Sequence, residues 1–233
     1  LAVIPAFAGE ALAQRLSVLP RVDVAVHGWA HLNHAPAAEK KQELGSHRPL
    51  QETCAELQRG LRHLQGLHGT QCVPLLVPPW NRVSASLIPL LPSIGFEAVS
   101  TFADISFESM PMINTHVDII DWKSTRRGNS VGSDKSAQSS DAQSRRAAAS
   151  RREEIRPSRP ADELITQITN RLLAGCELTG VLTHHLVHEP QAWSFLEQLF
   201  ELSAQHPAVQ WTAVRDLLSV HRPDPGLPGK QQA

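Results

Sequence analysis

The sequence predicts an α/β fold built on a mostly parallel sheet or barrel. One observation is alternation: short apolar runs that read as strands are separated by longer segments whose apolar residues recur every three or four positions. The other is where the reactive residues fall. His27, Pro79, Asp121 and His184 each follow an apolar run, the strand end at which parallel α/β folds place their chemistry.

Each element has its own signal. Residues 1–4 form a short apolar strand, followed by a helix over about 9–17 and a strand over 22–26 that runs into a histidine-rich loop. Leu50, Cys54, Leu57, Leu61 and Leu64 step by four, three, four and three, one face of a helix, and Gly66 and Gly69 mark its end. Residues 73–77 read as a buried strand closed by Pro78 and Pro79, and Ser84 is expected to cap a short helix. Strands follow near 97–101 and over 113–120. Leu164, Ile168 and Leu172 mark a helix, "GVLTHH" a strand, and Trp193, Leu196, Leu199 and Phe200 another helix. "AVQW" is expected to be a strand feeding a last helix, "TAVRDLL".

Composition sets the limits. With 233 residues, 41% of them hydrophobic, the chain can bury a real core as one α/β domain or two small ones, and a single domain over 1–221 is expected. A formal net charge of −1 gives no electrostatic footprint for nucleic acid, and no apolar run is long enough to span a membrane. Cys54, Cys72 and Cys176 are odd in number and form no CxxC pattern, which argues against a disulfide framework; Cys54 reads as a small buried hydrophobe. Over 123–160 the chain turns to Ser, Arg, Asp, Gln and Ala with few large apolar residues, and a disordered insertion is expected there. Its interspersed acids and missing aromatics weigh against an RNA-contacting arm. The tail over 222–233 is expected to be disordered.

Four clusters are candidates for chemistry. His27 and His31, in "HGWAH", have the spacing at which two imidazoles can share one ion, although such pairs also occur as ordinary polar loop residues. His34 follows one helical turn later and reads as a loop residue. His184 and His185 close the strand in "VLTHH"; imidazole suits acid or base work near neutral pH, and strand alternation allows only one of the two to face a site. In "VDIIDWKS", Asp118 and Asp121 offer carboxylates able to orient an imidazole and raise its pKa, and Trp122 can wall a pocket. In "VPPWNR", two prolines stiffen the strand exit that carries Trp80, Asn81 and Arg82, where an Arg can clamp a carboxylate.

The order of these pieces, HGxxH, a Pro-rich strand end with Arg, DxxDW, then LxH, resembles the polysaccharide deacetylase family (carbohydrate esterase family 4) from Val22 to about Leu218, outside the polar insertion. "VDIIDWKS" and "VLTHH" carry most of the likeness. The resemblance implies a distorted (β/α) barrel and a divalent metal, most often zinc, held by His27 and His31. It implies a catalytic His184 tuned by Asp121, with Trp122 and Trp80 on the substrate and Leu182 walling an acetyl pocket. Arg82 would be the catalytic arginine, but it follows the prolines here where the family has it before them. The implied activity is removal of acetyl groups from N-acetylated sugars, so the expected partner is a carbohydrate, not nucleic acid or membrane.

The family's opening motif, two aspartates that supply a third metal ligand and a general base, has no match before His27. Asp23 is the only carboxylate close by, and it lies within the second strand. The first strand is therefore expected to be missing and the chain to be a fragment, with weak or no turnover by itself. The alternative is a non-catalytic carbohydrate- or metal-binding remnant of the same fold. The opening "LAVIPAFAGEALAQRL" has no initiator Met and no signal-peptide pattern, so localisation is not legible, with a slight lean to the cytoplasm.

Overall fold

The structure, a computed structural model, describes residues 1–122 and 155–221. The chain divides into two compact units: Leu1–Thr115 with the described part of Trp211–Ala233, and His116–Gln210.

The first unit is a parallel sheet in sequential order. Strands β1 (Ala2–Val3), β2 (Val24–Val26), β3 (Cys72–Leu76) and β4 (Ala98–Val99) pair one to the next, with helices α1 (Glu10–Ser17) and α2 (Leu50–His68) as crossovers. Val24, Val26 and Leu76 are fully buried, as the uninterrupted apolar runs of a parallel sheet require. The β2–β3 register slips between Val24↔Cys72 and Val26↔Leu76. Pro74 lies in that interval and has no N–H to give a ladder.

Helix α2 covers the sheet with Leu57, Leu61 and Leu64, while Leu50 and Cys54 pack at the edge of the same core. It ends at Gly69, whose φ of +54° suits a residue without a side chain. Gly66 does not end it. The buried stripe continues to His68, and that burial outweighs the roughly 1 kcal/mol a helical glycine costs. The three cysteines are free thiols. Burial pushes the Cys72 thiol up to about 11.

The second unit pairs β5 (Val117–Asp118) in parallel with β6 (Val181–Leu182). Helices α3 (Ala161–Leu173) and α4 (Pro190–Ala204) supply its core, in which Leu164, Phe195 and Leu196 pack on Val117 and Ile119. Helix α5 (Val214–His221) belongs to the first unit. Asp23 accepts from Arg215 through both carboxylate oxygens, the backbone N–H at 3.1 Å and Nε at 2.6 Å, and so ties α5 to the start of β2.

The α/β class and the parallel pairing are as expected, but the paired strands form a four-stranded and a two-stranded sheet rather than a closed ring among the described residues. Several elements differ from expectation. The run over 113–120 is a strand only at Val117–Asp118, because Met112 and Thr115 make isolated bridges instead of a ladder. Ser84 caps no helix; its hydroxyl bonds Ser86, and two 3₁₀ turns follow at Ile88–Leu90 and Pro92–Ile94. "AVQW" forms turn and irregular backbone, with the Val209 N–H bonded back to His206 rather than to a neighbouring strand.

The expected insertion and tail lie mostly outside the described residues. The part within them, 155–160, is held rather than loose. Ser158 bridges Ile120, the Arg159 N–H bonds the Ile119 carbonyl, and Ser158 donates to Glu189 through both its backbone and its hydroxyl. No helix among the described residues is long and apolar enough to cross a membrane.

Candidate functional site

Each unit carries one cluster of the expected residues. In the first, His27 stands one residue beyond β2. Its Nδ1 donates to the Val77 carbonyl at 2.8 Å, which makes Nε2 the basic nitrogen of the neutral ring. A hydrogen bond of this kind is the usual support of a metal-binding imidazole. The His31 ring lies beside it, with centroids 5.0 Å apart and planes at 44°. Two imidazoles on one tetrahedral ion at about 2.0–2.1 Å also hold their centroids about 5 Å apart. By that ring separation and the support on Nδ1 of His27, these are the two residues that could hold such an ion.

The loop that presents them is tightly built. Trp29 is held on α2: the Arg59 guanidinium lies 3.9 Å over its ring, and the ring lies at ordinary contact distance from Gly60, whose missing side chain makes room for Pro5, 2.9 Å from where a Cβ would stand. His31 packs against Trp80, centroids 4.2 Å apart and planes tilted by 52°. His31, Trp80 and Asn81 all adopt φ of 56°, a conformation costing about 1 kcal/mol or more for a non-glycine residue and concentrated at functional loops. Trp80 thus supports the histidine directly. Arg82 donates to the Lys41 carbonyl at 3.0 Å, a contact with the segment that precedes α2.

His34 is drawn elsewhere. Arg48 Nη1 donates to its Nε2 at 3.2 Å and to Glu56 at 2.7 Å, and the Glu56 partnership holds the guanidinium pKa up. Asp23 is engaged by Arg215, as above. Among the described residues, no group of three or more His, Cys, Asp or Glu is placed to hold a metal ion.

The second cluster centres on His184, just past β6. Its Nε2 lies 3.2 Å from Asp118, the residue paired with Leu182 across β5 and β6. Asp118 also accepts the Ile120 N–H at 2.9 Å and the Trp122 indole N–H at 2.8 Å, so three donors fix one carboxylate. The carboxylate on His184 is thus Asp118, whereas the resemblance assigns that part to Asp121; the Asp121 N–H bonds the Pro157 carbonyl. Trp122 meets the His184 ring edge-on at 4.9 Å and remains 49% exposed. Leu182 is half-buried on β6, and His185 is exposed.

His188 completes this cluster and was not anticipated. Its Nε2 accepts the His184 backbone N–H at 2.8 Å, so the proton of the neutral ring sits on Nδ1, a buried atom with no hydrogen-bond partner. Burial, then the neighbouring His184 and His185, push its pKa down, with Asp118 opposing. It is held neutral, edge-on to Trp193 at 4.9 Å. The third histidine of "HHLVH" was its only trace in the sequence.

No family model matches the sequence, and no curated protein matches it. Among solved structures, a protein assigned as a polysaccharide deacetylase from Mycobacterium smegmatis is similar, at a TM-score of 0.57 and 14% identity. The match covers 92% of this chain and 68% of that one. At such identity the likeness shows a shared α/β fold.

Proposed function

We propose that the chain is a metal-dependent hydrolase of the polysaccharide deacetylase type, removing acetyl groups from N-acetylated sugars. The observation that carries this reading is the imidazole pair of His27 and His31, one ring pinned through Nδ1 and the other 5.0 Å away, in a chain whose fold is similar to that of a protein assigned as a deacetylase.

In this reading His27 and His31 hold the metal, zinc by the chemistry of two neutral imidazoles. Zinc, when bound, polarises an amide carbonyl and acidifies water. The family resemblance gives His184 the part of general acid toward the leaving amine. Its Nε2 is anchored on Asp118, so Nδ1 is the nitrogen that gives the proton up. Asp118 steadies the imidazolium, and the Ile120 and Trp122 donors keep that carboxylate in place. The exposed Trp122 ring offers a face for a sugar, and Leu182 an apolar wall for the acetyl methyl. No step is assigned to Arg82 or Asp121.

A non-catalytic carbohydrate- or metal-binding protein is the second reading, favoured by one observation: the described residues bring no third ligand to the two histidines. Incubation with zinc and an N-acetylglucosamine oligomer, with acetate measured, separates the two. Zinc-dependent release, however slow, that His184→Ala lowers at least tenfold supports the hydrolase. Saturable zinc or sugar binding without release supports the second reading, and neither binding nor release rejects both.

A further inference from the structure

Glu43 lies in the polar stretch "AAEKKQELG", where an acidic residue reads as solvated surface. It is instead 2% exposed. A buried carboxylate is costly unless hydrogen bonds replace its water, and its bonds here are specific. Oε2 accepts the Trp29 N–H at 3.2 Å, and Oε1 accepts the Ala30 N–H at 2.7 Å. Both donors belong to residues between His27 and His31. The carboxylate also fills the space that a side chain at Gly28 would need: a Cβ there would stand 1.9 Å from Oε2 and 2.7 Å from Cγ of Pro79, at a φ of +63°.

The segment around Glu43 is itself fixed. The Asn33 side chain accepts the Gln42 N–H at 2.9 Å, the His34 N–H bonds the Gln42 carbonyl, and the Leu44 carbonyl accepts the Ser84 N–H at 2.7 Å. Glu43 is therefore a rigid support under the turn.

We propose that Glu43 is the positioning residue of the histidine pair: its carboxylate holds the "HGWAH" turn in the one conformation that presents both imidazoles to a single cation. The inference rests on the reading of His27 and His31 as metal ligands. Supports of this kind are worth about 10–100-fold in metal affinity. The division of the two bonds matters, because Glu43→Gln has one acceptor oxygen and turns an NH₂ toward the second amide.

The test is zinc affinity by calorimetry on the folded wild type, Glu43→Gln and Glu43→Asp, with amide hydrogen exchange read at Trp29, Ala30 and, as a control, Leu57 and Leu61. Glu43→Gln should bind zinc about 10–100-fold more weakly and exchange faster at Trp29 and Ala30, with the α2 amides unchanged. Glu43→Asp keeps both acceptors and should retain more of the affinity; it carries the comparison should Glu43→Gln not fold. A merely structural role would lower stability and leave the zinc affinity of the folded variants untouched, which would overturn the proposal. Zinc binding lost in His27→Ala and His31→Ala yet unchanged in both Glu43 variants overturns this inference alone. Wild-type zinc binding that is absent, or indifferent to His27→Ala and His31→Ala, overturns it together with the metal reading.

Discussion

The Asp118 carboxylate lies 3.2 Å from Nε2 of His184, across two paired parallel strands. It holds the imidazole from one side, while His188 holds the His184 backbone N–H from the other. One histidine is thus oriented through both its ring and its main chain, the kind of constraint that acid catalysis needs of its proton donor.

From this arrangement Asp118→Asn should cost more activity than Asp121→Asn. The amide keeps the size of the carboxylate but stabilises no imidazolium, and a drop in kcat of about tenfold or more is expected at Asp118. Steady-state kinetics on the two variants checks it. Equal losses, or a larger one at Asp121, would return the orienting role to Asp121.

The sequence did not carry that choice: only Val117–Asp118 is strand, so alternation does not reach Asp121 and Trp122, and it is the indole of Trp122 that donates to Asp118. Motif order alone favoured the aspartate beside the tryptophan. Elements with a buried stripe were legible, as the leucines of α2 show. "AVQW" was not, because a short apolar run becomes a strand only where a neighbour supplies a ladder. Glu43 was hidden for a similar reason: its partners, the amides of Trp29 and Ala30, are distant in sequence, and nothing local marks an acid for burial.

Asp23 should prove structural. Its carboxylate is taken up by Arg215, so Asp23→Asn should destabilise the fold by about 1.5–3 kcal/mol, the worth of hydrogen bonds to a charged group. Zinc affinity of the folded variant should not change. Urea unfolding and calorimetry read the two effects separately, and a loss of zinc affinity at constant stability would make Asp23 a ligand.

Stability should fall with acid through His68. This histidine is buried at the end of α2 with neither ring nitrogen hydrogen-bonded. Burial, and then the nearby His63, lower its pKa from 6.5. Below 6.5 the unfolded chain takes up this proton before the folded chain does, so the stability held above 6.5 is lost as pH falls toward the folded pKa. His188 adds an effect of the same sign. His68→Leu removes an unpaired polar group from the core, so it should raise Tm and flatten the Tm–pH slope on the acid side. An unchanged slope would remove His68 from this account.

The most direct measurement is a zinc titration of the wild type, His27→Ala, His31→Ala and His34→Ala, followed by calorimetry. The account predicts one zinc per chain, affinity lowered at least tenfold by either His27→Ala or His31→Ala, and little change in His34→Ala, whose Nε2 accepts from Arg48. No saturable zinc binding, or binding that survives loss of both His27 and His31, would contradict it.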